Sequence, residues 1–183
     1  FGALYACGDS LLPRNLSLQY LRTDQYERSG EIDPTANLAT MPTWLFHGSQ
    51  DPTVERPVTD DLAAYYHHYG TPLTYQWGIA AGHGWISPAG PVPCGATEAP
   101  YINDCSPYDA QAESLQVMFG SVAAPNTGTP GGTVTEFSQD PYAVPASLGV
   151  GHVTRTGATA IGMGSTGYLY TPRDCAQENA GCK

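Results

Sequence analysis

Two short apolar runs with one helical stretch between them constrain this chain more than any other feature. Residues 42–48, PTWLFHG, are β-prone, opened by Pro42 and closed by Gly48. Residues 73–79, LTYQWGI, form a second such run with partial alternation. Between them VTDDLAAYYHHY (58–69) reads as a helix, entered through Thr59 or Asp60 and ended by Gly70. Strand, crossover helix and strand make a parallel pair, because tight hairpins join only antiparallel strands. The fold class expected is therefore α/β.

The flanking sequence extends this pattern in both directions. FGALYA (1–6) reads as a buried strand stopped by Cys7-Gly8. Leu16 to Tyr26 is weakly amphipathic, with Leu18, Leu21 and Tyr26 turned toward a core, and 29–40 is a polar loop. A long Pro/Gly-rich loop is expected over 86–108. DAQAESLQVMFGSV (109–122) is the clearest helix, with Ala112, Leu115, Phe119 and Val122 on one face. After the turn-rich APNTGTPGG come two further strands, TVTEFS and TGYLYTP. No repeat or low-complexity boundary interrupts the chain, so 1–183 reads as a single domain portion.

In a parallel α/β sheet, reactive groups gather beyond the carboxyl ends of the strands. Asp51 follows the 42–48 run by three residues, and His83 follows the 73–79 run closely. Both belong at one sheet edge. An aspartate there can hold an imidazole in one tautomer and stabilise the imidazolium formed on proton transfer. Acid before histidine, with a helix between, is also the order of those two groups in α/β-hydrolases. The acid loop is 48–54 and the base loop 80–85. Gly82 and Gly84 are expected to give His83 a mobile, uncrowded backbone, and Trp85 an apolar wall that contacts substrate. The plainer alternatives are that Asp51-Pro52 opens a turn and that His83 is a surface loop residue.

The nucleophile is harder to place. A Gly-x-Ser-x-Gly elbow is absent. Ser10 lies in GDSL, but the Asp-x-x-His pair that accompanies such a serine elsewhere is missing, because Asp51 and His83 are far apart. Ser49 and Ser165 lack the elbow pattern. The expectation is a serine outside these 183 residues, upstream of FGALYA.

Composition removes several partners. With 7 Lys and Arg against 17 Asp and Glu, the net charge is -10. No basic stripe exists to neutralise phosphates or an anionic bilayer, so neither nucleic acid nor a membrane surface is expected. No run approaches the ~18 apolar residues of a spanning helix. His47, His67, His68 and His152 do not form a ligand set, so no metal or cofactor is expected. Five cysteines and only 13% charged residues point to an oxidising, secreted setting. Cys94 and Cys105 bracket a short loop, as do Cys175 and Cys182, and both spacings suit local disulfides; Cys7 is left over. Asn15-Leu16-Ser17 is a glycosylation sequon.

The ordered set of motifs resembles the extracellular polyhydroxybutyrate depolymerases that have a circularly permuted α/β-hydrolase catalytic domain. HGSQDPTV resembles their acid loop, with Asp51 as acid, and AAGHGW their base loop, with His83 as base. CGATEAPYINDC is similar to their Cys-bracketed loop, DAQAESLQVMFGSVAAPNTGTPGG to the helix that follows, and GSTGYLYTPRDC to a strand ahead of a second Cys pair. The resemblance implies a secreted serine esterase acting on poly(3-hydroxybutyrate), with permuted strands over about 131–172. Tyr65 and Tyr66 then either meet the polymer or pack under the sheet. It also implies an incomplete portion of the domain, inactive alone, whose remaining segments are partners if they are separate pieces. A feruloyl or acetylxylan type of esterase and a non-catalytic binding protein of the same fold are the alternatives.

Overall fold

The computed structural model describes residues 14–124, 128–129, 131–143, 146–147, 154–155, 157–158, 163–177 and 181–182. The strand expected at 1–6, Cys7, Ser10 and His152 lie outside the described residues. Packing divides the chain into two compact units, Phe1–Ala123 and Ala124–Lys183.

The first unit is built on the expected parallel pair. β1 (Thr43–Phe46) and β2 (Leu73–Gln76) run parallel, Thr43 opposite Leu73 and Phe46 opposite Gln76. The crossover is α2 (Arg56–His68), which starts earlier than expected, behind Glu55 rather than Thr59 or Asp60. Pro57 explains this: its ring suits the first turn of a helix, where no intrahelical N–H partner is needed. Gly70, at φ +72°, takes the left-handed conformation just past the helix.

α1 (Leu16–Ser29) is capped by the Asn15 side chain, which accepts from the Leu18 N–H at 3.0 Å, and is closed by Gly30 at φ +72°. Its expected inner face is corrected: Leu18, Leu21 and Tyr26 are exposed. The opposite face packs on α2 through polar and aromatic groups. Tyr20 stacks on His68 with centroids 3.8 Å apart, and Thr23 shares a 2.6 Å hydrogen bond with Tyr65. The Tyr65 ring packs on α1, which neither reading of it anticipated. The 29–40 stretch is not wholly irregular, since Thr35–Thr40 forms a 3-10 helix.

The 86–108 segment, expected as loop, holds a small parallel sheet. β3 (Trp85–Ile86) and β4 (Val92–Pro93) flank β5 (Ile102–Asp104) in the order β3-β5-β4. These strands are too short for hydrophobic periodicity to reveal. The Cys94–Cys105 disulfide forms as the spacing suggests. It joins Ala81, Ile86 and Ala110 in the core, against Trp44, Phe46, Ile79 and Tyr108. α3 (Ala110–Phe119), capped by Asp109, buries Ala110 and Ser114. Leu115 and Phe119, expected inside, are exposed, because the small residues are those that allow close approach to β1.

In the second unit β6 (Gly132–Ser138) and β9 (Thr166–Pro172) pair antiparallel along their full length, from Gly132 opposite Pro172 to Ser138 opposite Thr166. Phe137 lies over Gly167, where a β-carbon would overlap its ring. β7 (Ala146–Ser147) and β8 (Thr154–Arg155) form a short antiparallel pair. Cys175 and Cys182 are joined as expected.

The Cys94–Cys105 bridge spans 11 positions. Replacing both cysteines with alanine should cost about 3 kcal/mol of unfolding free energy, read from urea denaturation against the oxidised parent. An unchanged midpoint would contradict its structural role.

Candidate active site

The acid and base loops lie side by side because strand-like pairing continues past the strand ends. Beyond β1 and β2, the His47 N–H donates to Gln76 C=O (2.9 Å), Ser49 N–H to Ile79 C=O (2.8 Å) and Gln50 N–H to Ala81 C=O (3.0 Å). Gly48 is required at this contact, since a β-carbon there would overlap the Ala81 carbonyl.

From that frame the chain turns at Asp51, whose carboxylate faces two ways. Oδ1 accepts from the Thr53 N–H (2.8 Å) and the Val54 N–H (3.0 Å), making the turn that Asp51-Pro52 suggested. Oδ2 is 3.0 Å from His83 Nδ1. The turn-opening and acid readings of Asp51 are thus compatible in one side chain. His47 braces the same loop: its ring is buried, and Nε2 donates to Val54 C=O at 2.9 Å.

Burial of the Asp51 carboxyl pushes its pKa up. The hydrogen bond from His83 and those from the Val54 and Thr53 amides outweigh burial and hold it below the ordinary 3.8. An ionised carboxylate can only accept, so His83 carries its proton on Nδ1 and leaves Nε2 as the basic nitrogen. Nε2 makes no hydrogen bond among the described residues. The Asp51 side chain is 11% exposed and that of His83 43% exposed, so the acid is sheltered and the base is reachable. This is the arrangement that lets an imidazole take a proton from a hydroxyl while an anion steadies the resulting charge.

The pair opens into a cavity of about 720 Å³ whose lining includes Phe46, Thr59, Thr97, Trp85 and Tyr101. Trp85, the residue expected as a wall, is 54% exposed at its rim. Tyr101 was not anticipated. It adopts φ +60°, a conformation rare for a bulky residue, and its carbonyl accepts from the Trp85 N–H at 2.7 Å. Its only local signal was the run of Pro and Tyr around it.

The expectation of a loose backbone around His83 is corrected. A β-carbon at Gly82 would overlap the Ala96 carbonyl, and one at Gly84 would overlap the Asn103 side chain. These glycines serve close packing, not freedom. Thr97 Oγ1 accepts from the His83 N–H at 2.9 Å and fixes the base from behind.

No described serine lines the cavity. Ser49 is exposed within the acid loop, outside the cavity lining, and Ser165 lies just ahead of β9 in the second unit. His67 and His68 are exposed at the end of α2. No cluster of three potential metal ligands occurs among the described residues.

Two expected outcomes follow from this geometry. Because folded Asp51 is more acidic than unfolded Asp51, its contribution to stability is complete above the ordinary value and is lost as pH falls through the folded value. The margin in unfolding free energy of the parent over Asp51→Asn should shrink below about pH 4; a margin that does not shrink there would contradict it. Gly48→Ala should destabilise by about 1–3 kcal/mol, measured by thermal unfolding, whereas Gly30→Ala is strained only by its φ.

Comparison with known proteins agrees with this picture. No protein-family model matches the chain. It is 33% identical over 165 residues to a poly(3-hydroxybutyrate) depolymerase of Delftia acidovorans, covering 88% of this chain and 30% of that protein. It is 31% identical over 157 residues to a polyhydroxybutyrate depolymerase of Talaromyces funiculosus, covering 83% of this chain and 42% of that one. The crystal structure of a PHB depolymerase from Penicillium funiculosum matches 94% of this chain and 50% of its own, at TM-score 0.73 and 29% identity. A serine-to-alanine variant of a PHB depolymerase complexed with an R3HB trimer matches 96% of this chain and 51% of its own, at TM-score 0.74 and 29% identity. The chain therefore spans 30% to 42% of the curated relatives and about half of the solved chains. Over most of its own residues, this chain is similar to polyhydroxybutyrate depolymerases at 29% to 33% identity.

Proposed function

We propose that these 183 residues are the acid- and base-bearing portion of a secreted serine esterase that hydrolyses poly(3-hydroxybutyrate). The observation that carries the reading is the 3.0 Å contact between Asp51 Oδ2 and His83 Nδ1 at the edge of a cavity. The likeness to a serine variant solved with an R3HB trimer supports both the nucleophile type and the substrate class.

His83 Nε2 takes the proton of a serine hydroxyl as that oxygen attacks the ester carbonyl. The same nitrogen then returns the proton to the departing alkoxide, which leaves as the hydroxyl end of the polymer. Water, deprotonated by His83, cleaves the acyl-enzyme, releasing a carboxylic acid and restoring the serine. Asp51 orients the ring and balances its transient charge. Trp85 contacts the substrate at the cavity rim. On this reading the serine is carried by sequence outside these residues.

Both compact units belong, on this reading, to one catalytic domain, since the solved depolymerases align with 94% to 96% of the chain. The domain is circularly permuted: the strands that open an ordinary α/β-hydrolase follow the histidine here. The antiparallel pairing of β6 with β9, after the base in sequence, supports it. Secretion is supported by two disulfides, and no described helix is long and apolar enough to cross a membrane.

The test uses the intact protein from its natural source. A serine-directed phosphonate should label one serine outside residues 1–183, and insoluble poly(3-hydroxybutyrate) film should be hydrolysed in preference to soluble feruloyl or acetyl esters. His83→Ala should lower the rate by about 10⁴–10⁶-fold. Absence of labelling, or a His83→Ala protein that still clears film, would refute the proposal.

A further inference from the structure

Asn103 is fully buried, at 0% exposure, in the middle strand of the small parallel sheet, opposite Ile86 on one side and Val92 on the other. An apolar residue would be expected between two such neighbours, because a buried amide is costly unless its hydrogen bonds repay desolvation. Asn103 is only partly compensated. Nδ2 donates to Ala96 C=O (2.6 Å) and Cys94 C=O (2.9 Å), with Pro93 C=O at 3.3 Å, while Oδ1 has no hydrogen-bond partner among the described residues. Packing alone therefore does not account for an amide at this position.

The carbonyls it gathers belong to one tight turn, closed by the Ala96 N–H on Pro93 C=O at 3.0 Å. That turn meets the base loop at two successive residues, and Asn103 itself meets the next. Cys94 C=O accepts from the Gly82 N–H at 2.8 Å, and Thr97 Oγ1 accepts from the His83 N–H at 2.9 Å. Gly84 lies against Asn103 Oδ1 itself, where any β-carbon would overlap. One buried amide thus binds the turn that contacts Gly82 and precedes Thr97, and lies directly against Gly84.

We propose that Asn103 is the positioning residue of the base loop, holding the 93–97 turn where it sets the His83 ring against Asp51. It touches no reacting atom. The inference rests on the serine-esterase reading for its catalytic consequence, but not for the placement of the loop. The Cys94–Cys105 bridge ties the turn to the strand that bears Asn103, so the amide and the disulfide act on the same element.

The experiment compares the intact wild-type protein with Asn103→Leu, which has a similar volume but no donor, and with Thr97→Val, which removes only the acceptor for His83. Two readouts are taken: hydrogen exchange of the Gly82 and His83 amides, and kcat and KM on a soluble ester. Folded Asn103→Leu should exchange those amides at least about tenfold faster while the Ser49 and Gln50 amides stay protected. Its kcat should fall about 10- to 100-fold with KM nearly constant. Thr97→Val should change the same quantities in the same direction by a smaller factor. A merely space-filling role predicts that leucine restores both, and unchanged exchange or a kcat within about twofold of wild type would overturn the proposal. Should Asn103→Leu fail to fold, Thr97→Val decides on the same criteria. A wild type inert toward every ester would sink the esterase reading, and amide exchange would still judge the role of Asn103.

Discussion

The parallel contact that runs on past β1 and β2 is the constraint from which the rest follows. Regular strand pairing ends at Phe46 and Gln76, yet the N–H groups of Ser49 and Gln50 still find the carbonyls of Ile79 and Ala81. Two segments that would otherwise be independent loops become one continuous backbone ladder. A ladder fixes separation and register, so Asp51 and His83 inherit their spacing from it. Gly48 permits the approach, and the turn beyond it delivers the carboxylate. Had either loop been free, the ordering of two side chains across 32 positions of sequence would have depended on their mutual attraction alone.

The second consequence is electrical. Asp51 lies in a sheltered place where an ionised carboxyl is ordinarily disfavoured, and two backbone amides together with His83 reverse that tendency. The charge is then available to fix the imidazole tautomer without a further cation. No other ion pair among the described residues sits in the cavity lining. A base held this way needs only a hydroxyl on its far side, which is why the arrangement is read as part of a serine esterase rather than as a binding pocket.

Much of the frame was legible in the amino-acid order, and the exceptions have physical reasons. The strand–helix–strand unit, the two disulfides and the pairing of Asp51 with His83 depend on local patterns: apolar runs, a Gly stop, short Cys spacing. The inner faces of α1 and α3 were misassigned because tertiary packing chose small and polar residues, Ser114 and Thr23 among them, over the leucines that periodicity favours. The small β3-β5-β4 sheet was missed since strands of two or three residues carry no period to read. Gly82 and Gly84 were misjudged for a related reason. Flexibility is a property of one residue, whereas close approach requires knowing that Ala96 and Asn103 lie opposite.

The most direct measurement is the long-range proton–nitrogen correlation spectrum of the His83 imidazole in the folded protein, at a pH where the ring is neutral. With Asp51 accepting from the ring, the proton resides on Nδ1 and Nε2 gives the signal of an unprotonated nitrogen. A native spectrum with the proton on Nε2, or one averaged over both nitrogens as in a free histidine, would contradict the account.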